Sequence, residues 1–155
     1  MAIEIERKFV VKKIPNEKIK YSHYIKQGYI ISDMHKVIRV RQKKDDFFIT
    51  IKGKKTGISR FEFEYKIPKK DADQLFKNFC KEGIIEKTRH YIKHKGHTWE
   101  LDVFHGQNEG LVVAEIEIES EEEKFSLPEW IDYEVTCQEE YYNMNLIKNP
   151  FKKWT

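Results

Sequence analysis

Two acidic pairs bracket this chain. Glu4 and Glu6 stand two residues apart near its start, and Glu115 and Glu117 repeat that spacing near its end. In a strand, residues i and i+2 point to the same side. Each pair therefore offers two carboxylates to one face, a donor set suited to a hard divalent cation. The opposite charge recurs between them at the same spacing. Lys8 shares the face of Glu4 and Glu6; Arg39 and Arg41 make a fork that matches phosphate oxygens. Lys52 lies on one side with Thr50, Arg60 opens an alternating run, and Lys87 and Arg89 share a face with Tyr91. Such groups can hold a polyanion beside a metal. Any one strand reads equally well as half-exposed, with a solvated charged face. The recurrence in strand after strand argues for a site.

The elements that must carry these residues are short and alternating. After the first strand, the stretch around Pro15 breaks the chain before a β-rich run over Tyr24–Ile31. Val37–Arg41 alternates strictly, and Lys43–Asp46 reads as a hairpin turn into Phe47–Lys52. Gly53–Gly57 lacks the spacing of a phosphate-binding loop and is flanked by strands on both sides, so it reads as a hairpin loop. Arg60–Ile67 is the cleanest alternation, ended by Pro68. A helix is expected from Asp71, with Ala72, Leu75, Phe76, Phe79 and Cys80 at helical spacing and Gly83 at its end. Further strands follow over Ile85–Ile92, Trp99–Phe104 and Leu111–Glu119. Ser120 with the acids after it reads as a helix start, and Pro128–Ile131 as a turn of helix. Tyr133–Thr136 reads as a last strand and Glu139–Ile147 as a C-terminal helix. The tail from Asn149 is expected to fray, leaving Trp154 without a role. Trp99, Phe61 and Phe63 are expected in an outer-face core.

On the charged faces Ser, Thr, Asn and Gln are scarce, unlike the wet face of an open sheet. A closed barrel with a charged bore, its apolar outer faces covered by helices, accounts for both faces and removes exposed edges. Burying like charges is costly without a ligand, so the bore must be built for a polyanion and a cation.

Composition bounds the rest. The 155 residues suit a single domain, 1–155. The 29 basic and 26 acidic residues nearly cancel, which excludes a general nucleic-acid binder. No apolar run suits a membrane span, the start lacks signal-peptide order, and two isolated cysteines, Cys80 and Cys137, fit a reducing compartment. The expectation is a cytoplasmic protein. The six histidines show no metal spacing backed by other ligands.

The series Glu4-Ile5-Glu6-Arg7-Lys8, Arg39-Val40-Arg41, Thr50-Ile51-Lys52, Arg60-Phe61-Glu62-Phe63-Glu64, Glu86-Lys87-Thr88-Arg89, Leu101-Asp102-Val103-Phe104 and Ala114-Glu115-Ile116-Glu117 resembles the motifs of the CYTH, or triphosphate tunnel metalloenzyme, superfamily. The resemblance runs from about residue 3 to 147. It implies an α+β fold with a closed eight-stranded antiparallel β-barrel, a charged interior and a few flanking helices. The chain is most similar to short bacterial members that hydrolyse inorganic triphosphate with a divalent metal; such proteins are often dimers.

Both routes give the same roles. Glu4, Glu6, Glu115 and Glu117 are candidates to hold Mg²⁺ or Mn²⁺. Lys8, Arg39, Arg41, Lys52, Arg60 and Arg89 are candidates to bind the triphosphate. Glu62, Glu64 and Asp102 are expected to orient the cations, with Glu64 and Asp102 the nearer to a metal or water. Lys87 is the candidate general base, its pKa lowered by neighbouring cations; the competing reading is one more phosphate contact. The resemblance pairs this lysine with a tyrosine, here Tyr29 in Gln27-Gly28-Tyr29. Class IV adenylate cyclases carry a His-Phe pair upstream of ExExK that has no counterpart before Ile3. A thiamine triphosphatase needs an aromatic platform that no particular residue supplies. A sensor of polyphosphate or nucleotide would need no poised base, and no stacking aromatics interleave the arginines as RNA binding requires.

Overall fold

A computed structural model describes residues 2–154. Alternation becomes strand nearly everywhere: β1 (Ile3–Val11), β2 (Tyr21–Ser32), β3 (Lys36–Lys43), β4 (Asp46–Gly53), β5 (Ser59–Ile67), β6 (Ile84–His94), β7 (His97–Phe104), β8 (Val112–Glu117) and β9 (Ile131–Glu134). The order is β5-β4-β3-β2-β6-β7-β8-β1, and β5 pairs back onto β1, so eight antiparallel strands close a barrel. The first strand serves two seams. Its start pairs with β5 (Ile3 opposite Phe61, Glu4 opposite Arg60), and its end pairs with β9. On its other edge β8 runs alongside, setting Glu6 opposite Glu117 and Lys8 opposite Glu115.

Three apolar clusters dress the barrel. The helix α1 (Lys69–Phe79) starts two residues before Asp71 and lays Ala72, Leu75 and Phe76, with Cys80 just beyond it, against Val40 and Phe47. Phe79 at its end stays exposed. Trp99, buried as expected, packs with Phe9, Leu101, Ile116 and Trp130 under the segment that follows β8. The third cluster joins Ile85, Phe104, Leu111 and Val113 to Leu146. Ile85, Phe104 and Val113 share strand parity with Lys87, Asp102 and Glu115. The inward faces thus turn from charged to apolar at one end, and the C-terminal segment supplies the plug.

Several expectations fail here. No helix starts at Ser120: only a single turn forms, and Phe125 then packs on Phe9 and Trp99. Phe125 and Leu127 are spaced for an extended chain, so no helical stripe exists to bury. Pro128–Ile131 is a turn leading straight into β9, which begins at Ile131 rather than Tyr133. The C-terminal helix is broken into a 3-10 turn at Glu139–Tyr141 and α2 (Asn145–Lys148). The tail does not fray, because Phe151 and Trp154 stack edge-on and Trp154 meets Tyr141. Phe61 and Phe63 are not core: with Ile3, Ile51 and Tyr65 they lie exposed on the outer face beside the β1–β5 seam, beyond α1, which covers β4 at Phe47. Among the described residues, no helix is long and apolar enough to cross a membrane.

Candidate active site

The charged faces point into the barrel, and α1 and the segment after β8 cover much of the apolar face that this turns outward. A cavity of about 210 Å³ there is lined by every sequence-predicted site residue except Asp102. Register explains the gathering. Thr50 stands between Arg39 and Glu64 across β3, β4 and β5, and Lys52 stands opposite Glu62. Arg89 stands opposite Asp102, and Glu100 opposite Glu115.

On one wall Glu4, Glu6 and Glu117 bring carboxylate oxygens within 4.8 Å of one another. Burial and then the neighbouring acids hold two of them protonated beyond the ordinary carboxylate range. Glu6 lies well above it, with Glu115 and Glu4 adding to the burial. Glu117 is pushed up to about 7 by burial and by Glu100, Glu4, Glu62 and Glu115. Glu4 goes the other way: despite burial, Lys52 at 3.1 Å keeps it low. Glu115 shares a hydrogen bond with Glu6 but is held in the opposite direction. Against burial, Lys8 and Arg89 hold it well below the usual range, and Arg89 Nη2 donates to its Oε1 at 3.5 Å.

The cations line the rest. Arg39 and Arg41 both reach Glu64 Oε2, at 3.4 and 3.3 Å, and Thr50 donates to the same oxygen at 2.7 Å. Lys52 also meets Glu62 at 3.2 Å. Arg60 donates to the Gly53 carbonyl rather than to an acid, and Lys8 Nζ to the Tyr141 carbonyl. These acids hold their cations at fixed angles, which is how an anion site is preorganised.

Asp102 is the deepest acid, fully buried. Its two oxygens accept from Arg89 Nε and Nη2 at 2.7 and 2.9 Å, and Oδ2 also meets Lys87 Nζ at 2.8 Å. It faces the side chains of Arg89 and Lys87 and does not line the cavity. Lys87 is 2% exposed. Burial lowers its pKa to about 8, helped by Arg89 and opposed by Asp102 and Glu115. Tyr29 makes no hydrogen bond to Lys87 but is joined to it through Gln27 and Asn143. Gln27 Nε2 donates to the Tyr29 hydroxyl at 2.7 Å and to Asn143 Oδ1 at 3.1 Å, and Lys87 donates to the same Asn143 oxygen at 2.8 Å.

Other lining residues escaped the sequence reading. Glu100 was legible as a face-mate of Asp102; it meets Arg89 at 3.0 Å and lines the cavity. Lys55, Tyr142 and Asn143 also line it, but they come from a loop and a turn, where no periodicity marks a face.

A CYTH domain model matches residues 2–145. The chain is 44% identical to an inorganic triphosphatase of Acetivibrio thermocellus over 154 residues, 99% of each chain. It is 35% identical to an inorganic triphosphatase of Nitrosomonas europaea over 148 residues, 92% of this chain and 95% of the other. A crystal structure of an inorganic triphosphatase superposes with a TM-score of 0.68 at 32% identity, covering 95% of both chains. With its closed barrel and inward-facing acidic and basic strands, the chain belongs to the CYTH domain family.

Proposed function

We propose that this chain is a divalent-metal-dependent hydrolase of inorganic triphosphate, releasing pyrophosphate and phosphate. The observation that carries the reading is one cavity in which a three-carboxylate cluster faces a wall of arginines and lysines. The names of the two relatives point to the same substrate. Mg²⁺ or Mn²⁺ would be held by Glu4, Glu6 and Glu117, with Glu115 beside them. The donor set fits: hard oxygen ligands converge, and Glu6 and Glu117 are acids whose charge the protein's own cations leave uncompensated. Bound there, the cation would neutralise charge on the phosphate oxygens.

The chain's own residues do the rest. Lys8, Arg39, Arg41, Lys52, Arg60 and Arg89 bind the phosphate oxygens and set the chain of phosphorus atoms in line, since phosphoryl transfer depends mainly on alignment and charge stabilisation. Lys87, titrating near 8, takes a proton from the attacking water. The water oxygen bonds to the terminal phosphorus as the bridging P–O bond breaks, and pyrophosphate leaves with the electron pair. Glu64 and Asp102 hold the cations in place, and Glu62 backs Lys52.

The test is phosphate release from inorganic triphosphate, ATP and thiamine triphosphate, with and without Mg²⁺ or Mn²⁺, with cyclic AMP followed in the ATP samples. Metal-dependent release from inorganic triphosphate, lost in Glu6→Gln, is expected. Cyclic AMP formation would make the protein a cyclase, and tight binding with no turnover would make it a sensor.

A further inference from the structure

The strand alternation that brings Lys87 into the cavity does not say which way its amine points, and the stretch that was expected to be a C-terminal helix does. We propose that Asn143, on the turn between the Glu139–Tyr141 segment and α2, is a positioning residue that aims Lys87 and joins it to Tyr29. This rests on Lys87 as the base, the reading set out above.

The geometry leaves little freedom. Lys87 Nζ and Gln27 Nε2 are both donors, so Asn143 must turn its carbonyl oxygen toward them, and that oxygen accepts from both, at 2.8 and 3.1 Å. A neutral amine has two N–H groups and one lone pair. Asp102 Oδ2 takes one N–H at 2.8 Å and Asn143 takes the other. The lone pair is then confined to the one tetrahedral direction left, as a proton acceptor must be. Gln27, 1% exposed, spends its Nε2 on Tyr29 and Asn143 and keeps its Oε1 without a partner among the described residues. That is a buried acceptor left unpaired beside the Lys87–Asn143 contact.

Asn143 is held where it is by the rest of the tail. Leu146, 1% exposed, seats among Ile85, Phe104 and Val113. Asn108 Nδ2 donates to the Leu146 carbonyl, and Asn108 Oδ1 accepts from the Phe151 amide. Lys8 Nζ donates to the Tyr141 carbonyl. The plug that closes the apolar end of the barrel is therefore also the support of the base. Charged groups facing Lys87 are Asp102 on β7, Arg89 on β6 and Glu115 on β8; Asn143 is the neutral member of that shell.

The experiment compares Asn143→Ala, the near-isosteric Asn143→Asp and Lys87→Ala with the wild-type protein, measuring kcat and KM for inorganic triphosphate with Mg²⁺ across pH 6–10. The metal-free proteins are followed in parallel by ¹⁵N NMR of the lysine Nζ. Asn143→Ala should lower kcat on the order of 10- to 100-fold, with KM within about twofold, because the phosphate contacts remain. Asn143→Asp sets a carboxylate beside the amine and favours its charged form. The acid limb of its kcat profile, and the Lys87 Nζ titration, should move to higher pH by about one unit or more. If Lys87→Ala loses turnover while both Asn143 variants keep wild-type kcat, profile and Nζ titration, the positioning role is wrong. If Lys87→Ala retains turnover, it is the base assignment that fails. Should Asn143→Ala not fold, Asn143→Asp alone decides the matter.

Discussion

Glu117 shows how a single side chain can report the purpose of its surroundings. Its carboxyl is raised from 4.5 to about 7 by burial and by four neighbouring acids. A raised acid contributes stability that is complete below its unfolded value and is lost as pH rises through the folded one. At pH 8, without metal, its charge is a liability. Glu117→Gln should then melt a few degrees above the wild-type protein in EDTA at pH 8, on the order of 1 kcal/mol after discounting for the group's partial exposure. The gap should close by pH 5, where the wild-type acid is protonated. Added Mg²⁺ should reverse the order by stabilising only the wild-type protein. Scanning calorimetry at the two pH values checks this; a variant that melts lower in EDTA at pH 8 would mean that the carboxylate is already paired in the native state. Glu115, two residues away, is held low by Lys8 and Arg89. Identical spacing in the sequence thus hides opposite electrostatic roles, which depend on strands that meet only in the barrel.

At the scale of elements, the contact of α1 with the barrel hinges on a glycine. A Cβ on Gly28 would sit 2.8 Å from Cys80 Cβ and 2.9 Å from both Cys80 Sγ and Ile84 Cδ1. The end of α1 and the start of β6 both press on bare β2 backbone. Gly28→Ala should cost about 1–3 kcal/mol, as overpacking does, read as a lower urea midpoint at unchanged slope. An unchanged midpoint would show that Cys80 and Ile84 can move aside freely. The strands themselves were legible because one alternating pattern fixes both their type and their faces: Arg39, Arg41, Lys52, Lys87 and Glu115 all line the cavity as alternation requires. The segment after Glu117 was not. Its apolar residues, Phe125, Trp130, Leu146, Phe151 and Trp154, are too sparse to show a period, and each is placed by a surface made elsewhere in the chain. Asn143 was illegible for the same reason. Phe61 and Phe63 misled in the other direction, since alternation says which face a residue takes and not whether anything covers it.

For the whole molecule, closure of the ring is the weak point and also the point the ligand should strengthen. Register pairs β1 with β5 at three positions, Ile3, Glu4 and Ile5, against five between β1 and β8. Beyond Ile5 that edge of β1 turns to β9, with Arg7 joined to Glu134 at 2.7 Å. Glu4 links the seam to the site: it stands opposite Arg60, belongs to the acidic cluster and meets Lys52 of β4. A metal drawn to Glu4 and a phosphate chain drawn to Lys52 and Arg60 would tie three strands across the closing seam. Local opening is cheapest where few hydrogen bonds must break together. In hydrogen exchange followed by mass spectrometry, peptides covering 2–6 and 59–64 should therefore take up deuterium fastest among the barrel strands of the metal-free protein. Mg²⁺ with inorganic triphosphate, added to Lys87→Ala so that the ligand persists, should slow those peptides more than the ones covering β2 and β6, which are paired at eight positions. Equal protection of all strands, or protection confined to β6 and β7, would mean that the ligand does not bridge the seam and that the barrel is already locked without it.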